Sequence, residues 1–162
     1  MSQGIQEYLD LMIKMKESRN VKPYSGIEDF VKTNGRAFIS GKYPDKYLKY
    51  RGQKKMCFKN AFDLSQIFPE LRYVEGFGFS ELLPLAIFHA FCVDKKGNVI
   101  DPTWEYQDRT EYFGVELNQD YVVQTVLKTR HYGILENHRD GFPLLMNESG
   151  HRKKDFGYEK SI

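Results

Sequence analysis

Very little of this sequence is cysteine, and that scarcity excludes one class of protein. Two cysteines in 162 residues make no disulfide framework, so the fold must rest on its core. Charge of one sign is not in surplus either. Lys and Arg number 24 against 22 Asp and Glu, a formal net charge of +2. That balance neither demands a polyanionic partner nor excludes one. No apolar run approaches the roughly 18 residues that a membrane span needs. The opening "MSQGIQEYLD" has no basic stretch leading into an apolar one, so no secretory leader is expected. Repeats and low-complexity tracts are missing. The expectation is a cytoplasmic protein with reduced thiols and no membrane partner.

Hydrophobic residues make up 41% and aromatics 15%, which argues for a packed core. The chain reads as one domain over 1–162, with its core at about 3–146 and a loose polar tail at 147–162. Residues 3–18 read as a helix, with Ile5, Tyr8, Leu9, Met12 and Ile13 on one stripe and Ser2 as cap. Ser25 to Glu28 spells a capping box for a short second helix through Phe30 and Val31 to Gly35. Residues 36–52 look irregular. A third helix spans Cys57 to Ile67, stopped by Pro69. Its Cys57, Ala61, Leu64 and Phe68 form a stripe that Phe58, Phe62 and Ile67 widen, as in a central buried helix.

The period then changes. "RYVEGFGFS" (72–80), "LAIFHAFCVD" (85–94), "NVIDPTW" (98–104) and "EYFGVEL" (111–117) read as strands. Asp94-Lys95-Lys96-Gly97 fits a type I turn with Gly97 left-handed, making a hairpin of 85–93 and 98–103. Residues 118–130 read as a helix capped by Asn118. Helices followed by antiparallel strands give an α+β fold, with a central helix packed on an antiparallel sheet.

Three residues carry the chemistry: Cys57, His89 and Asp101. A thiol at a helix N-terminus meets partial positive charge and free N–H groups, and Lys54 and Lys55 add to it. Such a thiol suits a nucleophile. His89 stands in an otherwise apolar strand, and the turn at 94–97 sets it opposite residue 101, 102 or 103. Asp101 there would orient the imidazole, as the third group of a triad does. Asp94 is the competing acid but sits in the turn. Cys92, three residues from His89, points to the other face as a core thiol. The N–H of Cys57 is one natural oxyanion donor and the Gln53 side chain a second, with Asn60 in support and Trp104 beside the groove.

Cys, His and Asp in that chain order resemble the transglutaminase-like branch of the papain-like folds. "RGQKKMCFKNAF" is loosely similar to the Arg-Gly-Gly-x-Cys-x-Glu-x-Asn stretch of arylamine N-acetyltransferases. It departs from that stretch by lacking the double glycine and by placing Lys59 at the glutamate and Asn60 one position early. "FHAFCVDKKGNVIDPTW" is similar to the His-to-Asp strand pair common in transglutaminase-like proteins. The resemblance covers about residues 51–104 and is closest to small bacterial and phage members. It implies thiol acyl chemistry with Cys57 as nucleophile, His89 as base and Asp101 as orienter. The substrate class is then a protein, a peptide or a small acyl compound, and no cofactor is called for.

The alternative is a protein-binding module that keeps the fold without turnover. His131, His138 and His151 match no metal spacing. "HRKKD" (151–155) reads as a solvated tail rather than a nucleic-acid contact.

Overall fold

A computed structural model of the chain describes residues 3–17 and 26–146. Ser2, Ser25 and the tail from 147 lie outside the described residues, so the first cap, the capping box and the loose tail are not addressed by it. Helix α1 is Gln3–Glu17, with Ile5 and Leu9 fully buried as its stripe requires. Helix α2 is Ile27–Asn34, entered through Gly26 with no side-chain cap. Glu28 pairs with Lys16 at 2.7 Å. The central helix α3 is Cys57–Ile67, with the Phe68 N–H bonded to the Leu64 carbonyl before Pro69 stops it. Helix α4 is Gln119–Thr129, capped by Asn118, whose Oδ1 accepts from the Tyr121 N–H at 3.1 Å. A last turn, α5, is Pro143–Met146.

Five strands form one sheet: β1 Arg36–Phe38, β2 Arg72–Ser80, β3 Leu83–Val93, β4 Val99–Ile100 and β5 Thr110–Glu116. Their order is β1-β5-β2-β3-β4, and each neighbouring pair is antiparallel. The sheet curls until Ile39, just past β1, meets Asn98 beside β4 in a parallel bridge. The Ile39 N–H donates to the Gly97 carbonyl, and the Val99 N–H donates to the Ile39 carbonyl.

Alternation along the strands separates two cores. Tyr73, Phe77, Ala90, Cys92, Phe113 and Val115 face the helices, where they meet Ile5, Leu9, Ala61 and Leu64. Phe38, Val74, Phe91, Val93, Val99 and Tyr112 come from all five strands and fill the inside of the curl. Each buried Leu or Phe contributes about 1.5–3 kcal/mol. Glycine shapes the inside. A Cβ on Gly76 would stand 2.2 Å from the Phe113 carbonyl oxygen, so its absence lets β2 and β5 close up.

Two expectations need correction. Residues 36–52 are not irregular throughout: they hold β1 and a 3-10 helix at Asp45–Tyr50 that buries Tyr47. β1 shows no alternation because two of its three residues are exposed, and it is a strand only because β5 pairs with it. The second arm of the hairpin is two residues long, not six. At Asp101 the chain leaves the ladder, because its N–H goes to Gln107 and its carboxylate folds back on Thr103 and Trp104. The turn itself is as expected, with Gly97 at φ 84° and its N–H bonded to the Asp94 carbonyl.

Candidate active site

His89 points to the inside of the curl, on the face of Phe91 and Val93. Its Nε2 lies 2.7 Å from Asp101 Oδ2, and both side chains are buried. Extending the β3–β4 ladder would set Thr103, not Asp101, opposite His89. The chain instead bends at Asp101, which brings the carboxylate back to the ring.

That carboxylate is saturated. Oδ2 also accepts the Tyr112 hydroxyl at 2.8 Å, and Oδ1 accepts the backbone N–H groups of Thr103 at 2.9 Å and Trp104 at 3.1 Å. Burial by itself would push the Asp101 pKa up. The His89 charge and these hydrogen bonds outweigh it and hold the group below the usual carboxylate range. For His89, burial presses the pKa down. The charge of Asp101 and its hydrogen bond oppose that and win, with Cys57 adding as hydrogen-bond partner and as charge, so the group is raised to about 9. That direction favours the charged ring at neutral pH. Trp104 lies flat on it, ring centroids 4.0 Å apart and planes 16° apart, a geometry that favours a cation. Gly78 makes room for this, since a Cβ there would stand 2.4 Å from the indole.

Cys57 is the first residue of α3 and is partly exposed. Helix α3 packs on the helix-facing side of β3, through Ala61 and Leu64 against Ala90 and Cys92. Cys57 nevertheless reaches His89 as a hydrogen-bond partner. β4 pairs only with Cys92 and Val93, so among the described residues β3 from Leu83 to Phe91 has no ladder partner on that side. With Nε2 taken by Asp101, Nδ1 is the ring atom left for the thiol.

Met56 precedes the helix and supplies no side-chain cap, so the first N–H groups of α3 are not covered by one. A turn, closed by the Met56 N–H on the Gln53 carbonyl at 3.3 Å, presents Cys57. Within it Lys55 is left-handed at φ 68°, unusual for a residue with a Cβ. Asn60 is buried and donates to the Gln53 carbonyl at 2.7 Å and to Thr103 Oγ1 at 3.0 Å. It thereby joins the Cys57 turn to the Asp101 bend. The Gly52 N–H donates to the Pro102 carbonyl at 2.9 Å alongside it. Gln53 is anchored by its carbonyl, and its side chain is exposed.

The remaining expected roles fall as follows. Cys92 is buried, donates to the Ala61 carbonyl at 3.2 Å, and has its pKa pushed far up by burial. Asp94 spends its carboxylate on its own turn, on the N–H groups of Lys96 and Asn98. His131 and His138 stand ring to ring at 6.0 Å, and among the described residues no group of three or more His, Cys, Asp or Glu could hold a metal. Among the same residues no helix is long and apolar enough to cross a membrane.

Two contributors escaped the sequence reading. Tyr112 is one, and alternation in "EYFGVEL" could have found it. Phe113 and Val115 mark the helix face, so Tyr112 belongs inside, where a phenol needs an acceptor. The other is Gln107, which is buried. Its Oε1 accepts the Asp101 N–H at 2.8 Å, and its Nε2 donates to the carbonyls of Gly41 at 2.7 Å and Val99 at 3.0 Å. No local signal marks it. Compared with protein-family models, curated proteins and solved structures, the chain matches none of them.

Proposed function

We propose that this chain is a cysteine hydrolase or acyl transferase of the transglutaminase-like, papain-like kind, acting on an amide or thioester. The observation that carries the reading is the line from Asp101 to His89 to Cys57: a saturated carboxylate, an imidazole it orients, and a thiol on an uncapped first helical turn. His89 holds the proton taken from Cys57. The sulfur attacks the carbonyl carbon, forming an S–C bond. The Cys57 N–H and the Gln53 amide hold the oxyanion. The C–N or C–S bond then breaks, and His89 delivers its proton to the leaving group. Water or an amine next attacks the thioacyl carbon, gives its proton to His89 and frees the sulfur. Trp104 keeps solvent from the imidazole and forms one wall of the site.

The test is the rate of alkylation of Cys57 by iodoacetamide, in protein carrying Cys92→Ser, with and without His89→Ala. At pH 7 the His89-containing protein should label about tenfold faster or more, because a free thiol is only a few per cent thiolate there. Equal rates in the two proteins would remove the enzyme reading and leave a binding module.

A further inference from the structure

A second concavity lies on the outside of the seam where the curl closes. It is a groove of about 520 Å³ between the segment after β1 and the Asp94–Gly97 turn, a size suited to a small ligand. Lys42, Lys46, Lys95 and Lys96 line it, and Ile39 and Pro44 form its apolar wall. Ile39 is 58% exposed there, because its backbone is committed to closing the sheet and its side chain stands in the groove.

The two acids of the lining leave three of these four lysines without an ion pair. Asp94 is turned back on its own turn by three hydrogen bonds. Glu70 reaches only Lys46, at 3.6 Å. Lys42, Lys95 and Lys96 make no ion pair among the described residues. Three lysines without an ion pair thus line the groove beside an apolar wall, with Asp94 in electrostatic reach of Lys96. No arginine lines the groove. Planar carboxylates are matched best by the arginine fork, whereas lysine binds phosphate oxygens as a point charge.

We propose that this groove binds a phosphate ester carrying an apolar body, the lysines holding the phosphate oxygens and Ile39 and Pro44 receiving the body. The site is separate from Cys57 and stands or falls independently of the acyl chemistry.

Titration calorimetry of the full chain with adenosine diphosphate, without added divalent cation, tests it. One-to-one binding is expected at low salt, weakening as salt rises. Lys95→Glu/Lys96→Glu should weaken it about tenfold or more, the loss expected when attraction becomes repulsion at two contacts. Lys14→Glu, an exposed change on α1, should leave it unaltered. Inorganic pyrophosphate should bind more weakly, for want of the apolar body. Absence of binding at millimolar nucleotide overturns the proposal, as does binding indifferent to the groove charges. So does pyrophosphate binding as tightly as the nucleotide, or a hexaglutamate peptide binding more tightly than either. All three lysines are exposed, so the variants should keep the native circular dichroism.

Discussion

At the scale of single residues, one oxygen decides the character of the site. Asp101 Oδ2 is shared between His89 and Tyr112. The phenol draws on the charge that would otherwise go wholly to the imidazole. Tyr112→Phe should therefore tighten the hold of Asp101 on the His89 proton. The His89 pKa should rise further, which two-dimensional NMR of the ring reads directly. Loss of one buried hydrogen bond should lower stability by about 0.5–1.5 kcal/mol in urea titration. A His89 titration unmoved by Tyr112→Phe would make the phenol a packing residue only. Asp101→Asn should be more severe. An amide cannot accept four hydrogen bonds on two oxygens, and breaking a buried charged pair of this kind costs about 3–5 kcal/mol. Cys57, His89 and Asp101 were legible in the sequence because each stands beside a strong local signal: a helix start, an apolar run, a turn. Tyr112 and Gln107 were not, because what they touch is chosen by pairings 11 and 66 residues apart in the chain.

At the scale of elements, local grammar and long-range pairing divide the fold between them. Helix α3, strand β2, the Asp94 turn and the Asn118 cap lie where periodicity and capping residues placed them. β1 and the early end of β4 do not announce themselves. One exists through its partner β5, and the other stops because the Asp101 side chain competes with the ladder. The turn before α3 bears a burden of its own. Lys55 is held left-handed, which costs a residue with a Cβ about 1–2 kcal/mol. Lys55→Gly should therefore leave the melting temperature unchanged or raise it. Lys55→Val should lower it, since a β-branched residue tolerates that conformation least. Equal melting temperatures for the two variants would mean that the turn relaxes freely and stores no strain.

For the molecule as a whole, stability should follow the buried titratable groups. His89 is raised from 6.5 to about 9 on folding. Its contribution is complete below pH 6.5 and is lost as pH rises through 9. Glu75, buried under Tyr73 and the N–H groups of Ile134 and Leu135, is raised by burial from 4.5 to about 7. Its contribution is complete below pH 4.5 and is lost as pH rises through 7. Asp101 is lowered, so its share is present above 3.8 and disappears on acidification. Urea titrations should accordingly show stability falling from about pH 4.5 to 9, first through Glu75 and then through His89, and His89→Ala should flatten the limb between 6.5 and 9. A limb of equal slope in the variant would assign it to other groups.

Cys57 and His89 belong to different elements of the fold. His89 and Asp101 ride on β3 and the bend after β4, whereas the thiol rides on a helix packed against the reverse face of the sheet. No strand register fixes their separation. What fixes it is the packing of α3 on β3 together with the Asn60 amide and the Gly52–Pro102 hydrogen bond. Gly52 has no room for a side chain, since a Cβ would stand 2.0 Å from the Asn60 amide. Alignment of the pair thus depends on a few hydrogen bonds at the head of the helix as well as on the core. Counting fast-reacting thiols per chain, rather than melting the protein, reads whether those bonds hold.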